Sequence, residues 1–402
     1  DLDDPLKKIR DKFHMTQYIG KDMIYYYGNS LGLMPKMSNS AVSKELEIWA
    51  KTGVLGQHNR WVDYHKHLTQ STATIVGAKP KEVVVMNALT INLHLLMISF
   101  YRPTPRKNKI IIEHGAFPSD QYAVESQIRF HGYDPNDALI ELRPRKGEAC
   151  LRTKDIIDTF NQHGDSIATV IIGSVNYYTG QAFEIEKITK AAHNIDATVA
   201  IDLAHGIGNL DLDLHNWGVD FAVWCSYKYL CGGPGSPGGV FVHEKHENWD
   251  GPRFNGWWGN KKTTRFIMDS KFDPIVGAEG WQISNAPILA MACLRSSMAI
   301  FSNAGMPAII NKSKKLTGYL EYLVGSLKNK IKIITPKDSK QRGAQLSLVV
   351  KKNAKEVFNG LNSNHIICDW REPDVIRIAP VPLYNSFVDV YRFYEIVKDL
   401  TK

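Results

Sequence analysis

Between residues 80 and 245 the chain alternates between two kinds of hydrophobic run. Short, nearly continuous apolar stretches are separated by longer stretches in which apolar residues return every third or fourth position. The first kind predicts strands buried on both faces and the second predicts amphipathic helices. KIIIEH (109–114) predicts a strand, and PSDQYAVESQIRFHG (118–132) a helix opened by its proline. ALIELRP (138–144) predicts a strand, and TKDIIDTFNQHGD (153–165) a helix capped by its threonine. ATVIIGSV (168–175) predicts a strand and EIEKITKAAHNI (184–195) a helix; TVAIDLAH (198–205) and FAVWCSYKY (221–229) close the series as strands. Such alternation implies an α/β fold with a mostly parallel sheet covered by helices.

Past residue 290 the pattern changes. LAMACLRSSMAIFSNAG and PAIINKSKKLTGYLEYLVGSLKN predict two successive helices. KIKIITP, QLSLVV, HIICDW and DVIRIAP predict the short strands of a smaller α+β unit. MIYYYGNSLGLMP, near the start, predicts an extended arm ending in a turn, with Tyr25, Tyr26 and Tyr27 as its anchors. The expected division is an arm over 1–40 packed with the small domain, a large domain over 41–290 and a small domain over 291–402.

Composition narrows the class. With 402 residues, 44% hydrophobic and 22% charged, the chain has enough apolar material for an ordinary globular core. No apolar run reaches the ~20 residues a membrane span requires, and the charged start lacks a signal-peptide core, so a cytoplasmic protein with no membrane partner is expected. Five scattered cysteines without a CxxC pair imply free thiols and no zinc site. His14, His94, His215 and His243 stand without neighbouring metal ligands and predict packing or solvent roles, and the NKS at 311–313 an unused glycosylation match. The net charge of +8 is spread along the chain. It fits a pocket for small anions better than a nucleic-acid surface, so no nucleic-acid partner is expected.

Ligands of open parallel sheets gather beyond the carboxyl ends of the strands. There the sequence offers Phe117, Ser119 and Asp120, then Ser174, then Asp202 with His205, then Tyr227 with Lys228. MNALTINLHLLM places Leu89 and Thr90 at a helix start, where free N–H groups suit a phosphate. Asp202 and Lys228 could form a buried ion pair, or each cap its own turn. Taken together, an acid at one strand end, a lysine at the next, a phosphate-ready helix and a stacking aromatic suit pyridoxal 5'-phosphate. That cofactor needs a lysine amine for a Schiff base and an acid to keep its pyridine nitrogen protonated. The glycines of CGGPGSPGG (231–239) would relieve crowding around the lysine loop.

Longer stretches carry a resemblance. YYYGNSLGLMPK, MNALTINLHLLMISFYRPTPRK, AFPSDQYAVESQ, YYTGQ, IDLAHGIGN, WGVDFAVWCSYKYL, GWWG, TRFIMD, ISNAPI and IRIAPVPLYNSF together span residues 25–387. In them the chain resembles the kynureninases, fold-type I pyridoxal-phosphate enzymes related to the class-V aminotransferases, and more the animal-type branch. The resemblance implies hydrolytic β,γ carbon–carbon cleavage of L-kynurenine or its 3-hydroxy form, giving an anthranilate and L-alanine. It implies that Lys228 carries the cofactor, Asp202 bonds the pyridine nitrogen with His205 beside it, and Phe117 stacks on the ring. Ser119, Asp120 and Ser174 would lie close by, and Leu89, Thr90 and Tyr227 would hold the phosphate. Arg377 would clamp the substrate α-carboxylate, while Ser30 and His58 would face substrate. His58 sits in GQHNRWVDY, one place from where the family pattern has its histidine. Trp257 and Asn285 would reach the cofactor and the aromatic end of the substrate across a homodimer interface.

Other readings remain open: a cysteine desulfurase or small aminotransferase of the same fold, a non-catalytic ligand-binding regulator, or a nucleic-acid binder using the basic excess.

Overall fold

The computed structural model describes residues 1–18 and 20–402. Its centre is a seven-stranded sheet in the order Val83–Val85, Gly239–Val242, Phe221–Trp224, Thr198–Asp202, Ile167–Gly173, Lys109–Glu113, Leu139–Leu142. The last five of these run parallel, and Gly239–Val242 lies antiparallel to both of its neighbours.

The apolar runs read as two-sided strands because both faces are covered. Ile111 packs into one core while Ile110 and Ile112 pack into the other. Val199 and Ile201 face the first core and Ala200 the second; Ala222 and Trp224 likewise alternate with Phe221 and Val223. Side chains point to opposite faces with a period of two, so an uninterrupted apolar strand feeds both layers. Each fully buried Val, Ile or Leu contributes roughly 1.5–3 kcal/mol. The helices Pro118–Phe130, Thr153–His163 and Ile185–His193 occupy the expected intervals.

Three local expectations change. Thr153 does not cap its helix: it is the first helical residue, Arg152 holds the cap position, and the Thr153 hydroxyl donates to Glu184 at 2.6 Å. FAVWCSYKY is a strand only to Trp224, and residues 225–229 leave the sheet beyond its carboxyl edge. HIICDW is not one strand. Ile366–Ile367 pairs in parallel with Ile24–Tyr25, and Asp369–Arg371 pairs antiparallel with Val375–Ile378. The chain changes sheets at the buried Cys368, so one apolar run serves two neighbours.

The C-terminal sheet runs Ile331–Ile333, Leu346–Val350, Val375–Ile378, Asp369–Arg371, all antiparallel, with its own hydrophobic core. The arm is tied to this unit by the Ile24–Tyr25 pairing, by Arg10 to Asp389 at 2.6 Å and by a buried Lys312–Asp4 ion pair at 2.7 Å. Among the described residues no single helix is long and apolar enough to cross a membrane.

Candidate active site

Strand ends of the central sheet open onto a cavity of about 200 Å³. Nine residues expected from the sequence line it: Leu89, Thr90, Phe117, Ser119, Asp120, Asp202, His205, Tyr227 and Lys228. They arrive from different elements because the parallel strands end on one edge and each continues into a loop there.

Lys228 is placed by the turn that follows the Phe221–Trp224 strand. Gly32 donates its N–H to the Tyr227 carbonyl at 2.8 Å, and Cys231 donates to the Lys228 carbonyl at 2.9 Å. A side chain on Gly32 would put a Cβ 2.4 Å from the Lys228 carbonyl oxygen, and one on Gly238 would put a Cβ 2.2 Å from the Trp224 oxygen. The glycine-rich segment is therefore a place of close backbone approach, not a linker. The amine Nζ stands 5.7 Å from the centroid of the Phe117 ring. Among the described residues no ion pair within 4.0 Å joins it to Asp202.

Asp202 ends its strand, and its Oδ1 accepts from the Ala204 N–H at 2.6 Å. Asp120 is buried beside it in the first turn of the helix Pro118–Phe130. Burial first, and then the Asp202 charge, push the Asp120 carboxyl far above its ordinary range. Burial and then the nearby Lys228 and Arg377 charges keep His205 a neutral imidazole. Tyr227 is held as a phenol by burial and by the neighbouring Cys225.

The cavity wall suits pyridoxal phosphate. Asp120 Oδ1 and His205 Nδ1 are buried without a partner inside the protein, the pattern of polar atoms that a ligand completes. The helix Leu89–Phe100 begins with no side-chain cap and no acid in its first turn. Beside that start the Thr90 and Ser119 hydroxyls lie 2.8 Å apart. Free N–H groups with two hydroxyls beside them are the kind of donors a phosphate takes.

The cavity also includes residues the sequence did not single out: Glu113, Gly173, Val175, Tyr177, Ala204 and Cys225. Glu113 is the last residue of its strand, an acid ending an apolar run, which is the same signal that marked Asp202. It accepts from the Gly173 N–H at 3.0 Å, and burial pushes its carboxyl up to about 7.

Six expected residues lie elsewhere. Ser174 is buried with its hydroxyl donated to the Asp202 carbonyl at 2.9 Å, so it braces that strand end from behind. Arg377 is 1% exposed and sits behind Tyr177, donating to the Tyr177 carbonyl at 2.7 Å. Ser30 is half-buried and His58 exposed, and neither lines the cavity. Trp257 is 47% exposed with its indole N–H given to the Arg265 carbonyl, and Asn285 is exposed. The reading of His215 and His243 as isolated needs correction, since they gather with Glu82. The ligand-type atoms are already spent: His215 Nδ1 pairs with Glu82 at 2.9 Å, and His243 pairs with the His215 carbonyl and the Lys245 N–H.

The fold and the site together define a fold-type I pyridoxal-phosphate enzyme. Among solved structures, a cysteine desulfurase from Thermococcus onnurineus superposes with a TM-score of 0.78 at 17% identity, covering 94% of each chain. The Escherichia coli cysteine desulfurase CsdA does so at 0.78 and 14%, covering 98% of each. At these identities the likeness is one of fold. Sequence similarity goes further. Curated kynureninases from Myxococcus xanthus (56% identical, 98% of this chain and 94% of the relative), Koribacter versatilis (51%, 98% and 95%) and Christiangramia forsetii (50%, 99% and 96%) align nearly end to end. The family model of the kynureninase C-terminal domain matches residues 309–397. The chain belongs to the kynureninase family. These relatives are bacterial, so the expected leaning toward the animal-type branch is not supported.

Proposed function

We propose that the chain hydrolyses L-kynurenine, its 3-hydroxy form or both at the β,γ carbon–carbon bond, releasing an anthranilate and L-alanine. The observation that carries this reading is the convergence of Lys228, Phe117, Asp202 and the uncapped Leu89–Phe100 helix on one cavity, in a chain 56% identical to a kynureninase.

Pyridoxal phosphate, when bound, supplies an electron-accepting ring that stabilises negative charge beside the substrate amine. Lys228 Nζ would hold the group covalently and, as a free amine, would accept the substrate α-proton. The Asp202 carboxylate would keep a proton on the pyridine nitrogen, with Asp120 beside it. Leu89 N–H, Thr90 and Ser119 would bind phosphate, and Phe117 would pack against the ring. Water adds to the γ-carbonyl, the β–γ bond breaks with the anthranilate leaving, and the β-carbon takes a proton. Tyr227, kept as a phenol, is suited to deliver that proton. General acid–base help of this kind is worth roughly 10²–10⁴-fold. Arg377 would bind the α-carboxylate, with Ser30 and His58 nearer the rest of the substrate.

A desulfurase reading is disfavoured by the thiols. Cys225 alone of the five lines the cavity, and burial raises its pKa, leaving it a thiol and not the reactive thiolate.

We infer further that the working form is a cytoplasmic homodimer. Trp257 and Asn285 are exposed and lie off the cavity wall, as expected of residues that complete a second subunit's site. The division into an arm (1–40), a large domain (41–290) and a small domain (291–402) is part of the same reading. Mixing inactive Lys228→Ala and Asn285→Ala proteins should restore up to about a quarter of activity if subunits exchange and sites are shared; no recovery would argue for self-contained sites.

Turnover tests the function directly. Purified enzyme with L-kynurenine should generate anthranilate fluorescence together with stoichiometric L-alanine. Transamination without anthranilate would refute the reading.

A further inference from the structure

Arg377 and Asp369 face each other as register partners on the antiparallel strands Val375–Ile378 and Asp369–Arg371. Both are buried, at 1% and 3% exposure. One carboxylate oxygen, Oδ2, takes the Nε and Nη2 edge of the guanidinium. The other, Oδ1, accepts from the Tyr27 hydroxyl at 2.7 Å. Arg371, from the same short strand, adds its Nε to Oδ2 at 3.1 Å. On its far side Arg377 Nη1 donates to the carbonyl of Tyr177, a residue of the cavity wall.

An arginine has five N–H donors. Three of those on Arg377 are thus engaged, and the two that remain belong one to each terminal nitrogen. A guanidinium that keeps a donor on each terminal nitrogen can still hydrogen-bond an incoming carboxylate. Asp369 therefore does two things. It fixes the plane and roll of a long, rotamer-rich side chain, and it occupies the edge that is not meant for ligand. Charge supports the same division: two guanidinium groups share one carboxylate, leaving a net positive charge for an incoming anion. Tyr177 links this cluster to the cavity, because its ring lies 5.9 Å from the Arg377 guanidinium carbon and edge-on to Phe117 at 5.5 Å.

We propose that Asp369 is the positioning residue for the carboxylate clamp, with Tyr27 of the N-terminal arm steadying it, and that it sets affinity for the α-carboxylate of the substrate. This rests on the reading of Arg377 as the group that binds that carboxylate. The cluster also makes the arm part of substrate recognition, since the Tyr27 hydroxyl is delivered by the segment that pairs with Ile366–Ile367.

The test uses the holoenzyme and two product inhibitors. L-Alanine carries the α-carboxylate; anthranilate carries the aromatic end. Asp369→Asn should raise KM and the L-alanine inhibition constant about 10- to 100-fold, the range for losing a hydrogen bond between charged groups. It should leave kcat within about threefold and anthranilate inhibition unchanged. Tyr27→Phe, which leaves the Asp369–Arg377 pair in place, should shift L-alanine inhibition in the same direction by less, and keeps the proposal testable if Asp369→Asn does not fold. A merely structural role would weaken both inhibitors together, and that outcome overturns the proposal. Arg377→Lys separates the two layers. If Arg377→Lys weakens L-alanine inhibition and Asp369→Asn does not, the positioning role fails alone. If Arg377→Lys leaves L-alanine inhibition intact, the carboxylate reading fails and takes this proposal with it.

Discussion

The Lys228 amine stands 5.7 Å from the centroid of the Phe117 ring, and the two line the same cavity at the central sheet's edge. Lys228 follows the Phe221–Trp224 strand, whereas Phe117 precedes the Pro118–Phe130 helix, three strands away. The space between them would give a flat cofactor a covalent anchor and an aromatic face to pack against. Glycines hold the anchor in place: Gly32 and Gly238 let three backbone segments meet around the lysine turn.

Asp202 should matter to chemistry more than to binding. Asp202→Asn keeps the shape and an acceptor for the Ala204 N–H but removes the charge that would hold the pyridine proton. Steady-state kinetics should show kcat reduced at least about 100-fold, with KM moved much less. A variant with near-normal kcat would remove Asp202 from its assigned role.

Glu113 should impose a pH dependence on stability. Its folded carboxyl is pushed up to about 7, by burial first and then by the Asp202 charge against the opposing Gly173 N–H. Between the ordinary carboxyl value and about 7, the unfolded chain releases this proton while the folded chain keeps it. Stability therefore falls as pH rises across that window and levels off above it, by up to about 3 kcal/mol. Glu113→Gln cannot release a proton, so its thermal midpoint relative to the parent should rise between pH 4.5 and pH 8 in cofactor-free protein. Parallel curves for the two proteins would contradict this.

Glu45 should act in the opposite sense. Its burial would raise the carboxyl, but Arg60, Trp61 and Tyr64 donate to it at 2.6–3.0 Å and hold it at about 2. The stability it contributes is present above the ordinary carboxyl value and is lost as pH falls toward 2. Glu45→Gln leaves Arg60 short of its partner and should cost about 3 kcal/mol at pH 7, read as a lowered denaturation midpoint. That deficit should shrink in acid.

The sheet was legible because its strands are buried on both faces, and period-two packing into two cores leaves no polar interruption in runs such as IIIE and VAID. The strand-end residues were legible for a related reason. A carboxylate or lysine closing such a run, as Asp202 and Lys228 do, is costly to bury without a partner and so stands out. Glu113 carried the same mark and was passed over, because its run ends in Glu–His and reads as an ordinary solvent-facing terminus. The division of HIICDW was illegible, since nothing local says that Ile366 and Asp369 pair with different strands. Tyr177 and Asp369 were hidden for another reason. Their importance comes from a three-dimensional meeting of the arm, a loop of the large sheet and the small sheet, which no single stretch of sequence encodes.

The proposed chemistry requires a covalent bond between the cofactor and Lys228. Reduction of the cofactor-loaded enzyme with borohydride, followed by proteolysis and mass spectrometry, should find the pyridoxyl adduct on the peptide containing Lys228, and Lys228→Ala should yield none. An adduct on any other lysine, or an unmodified Lys228 peptide from fully active enzyme, would contradict it.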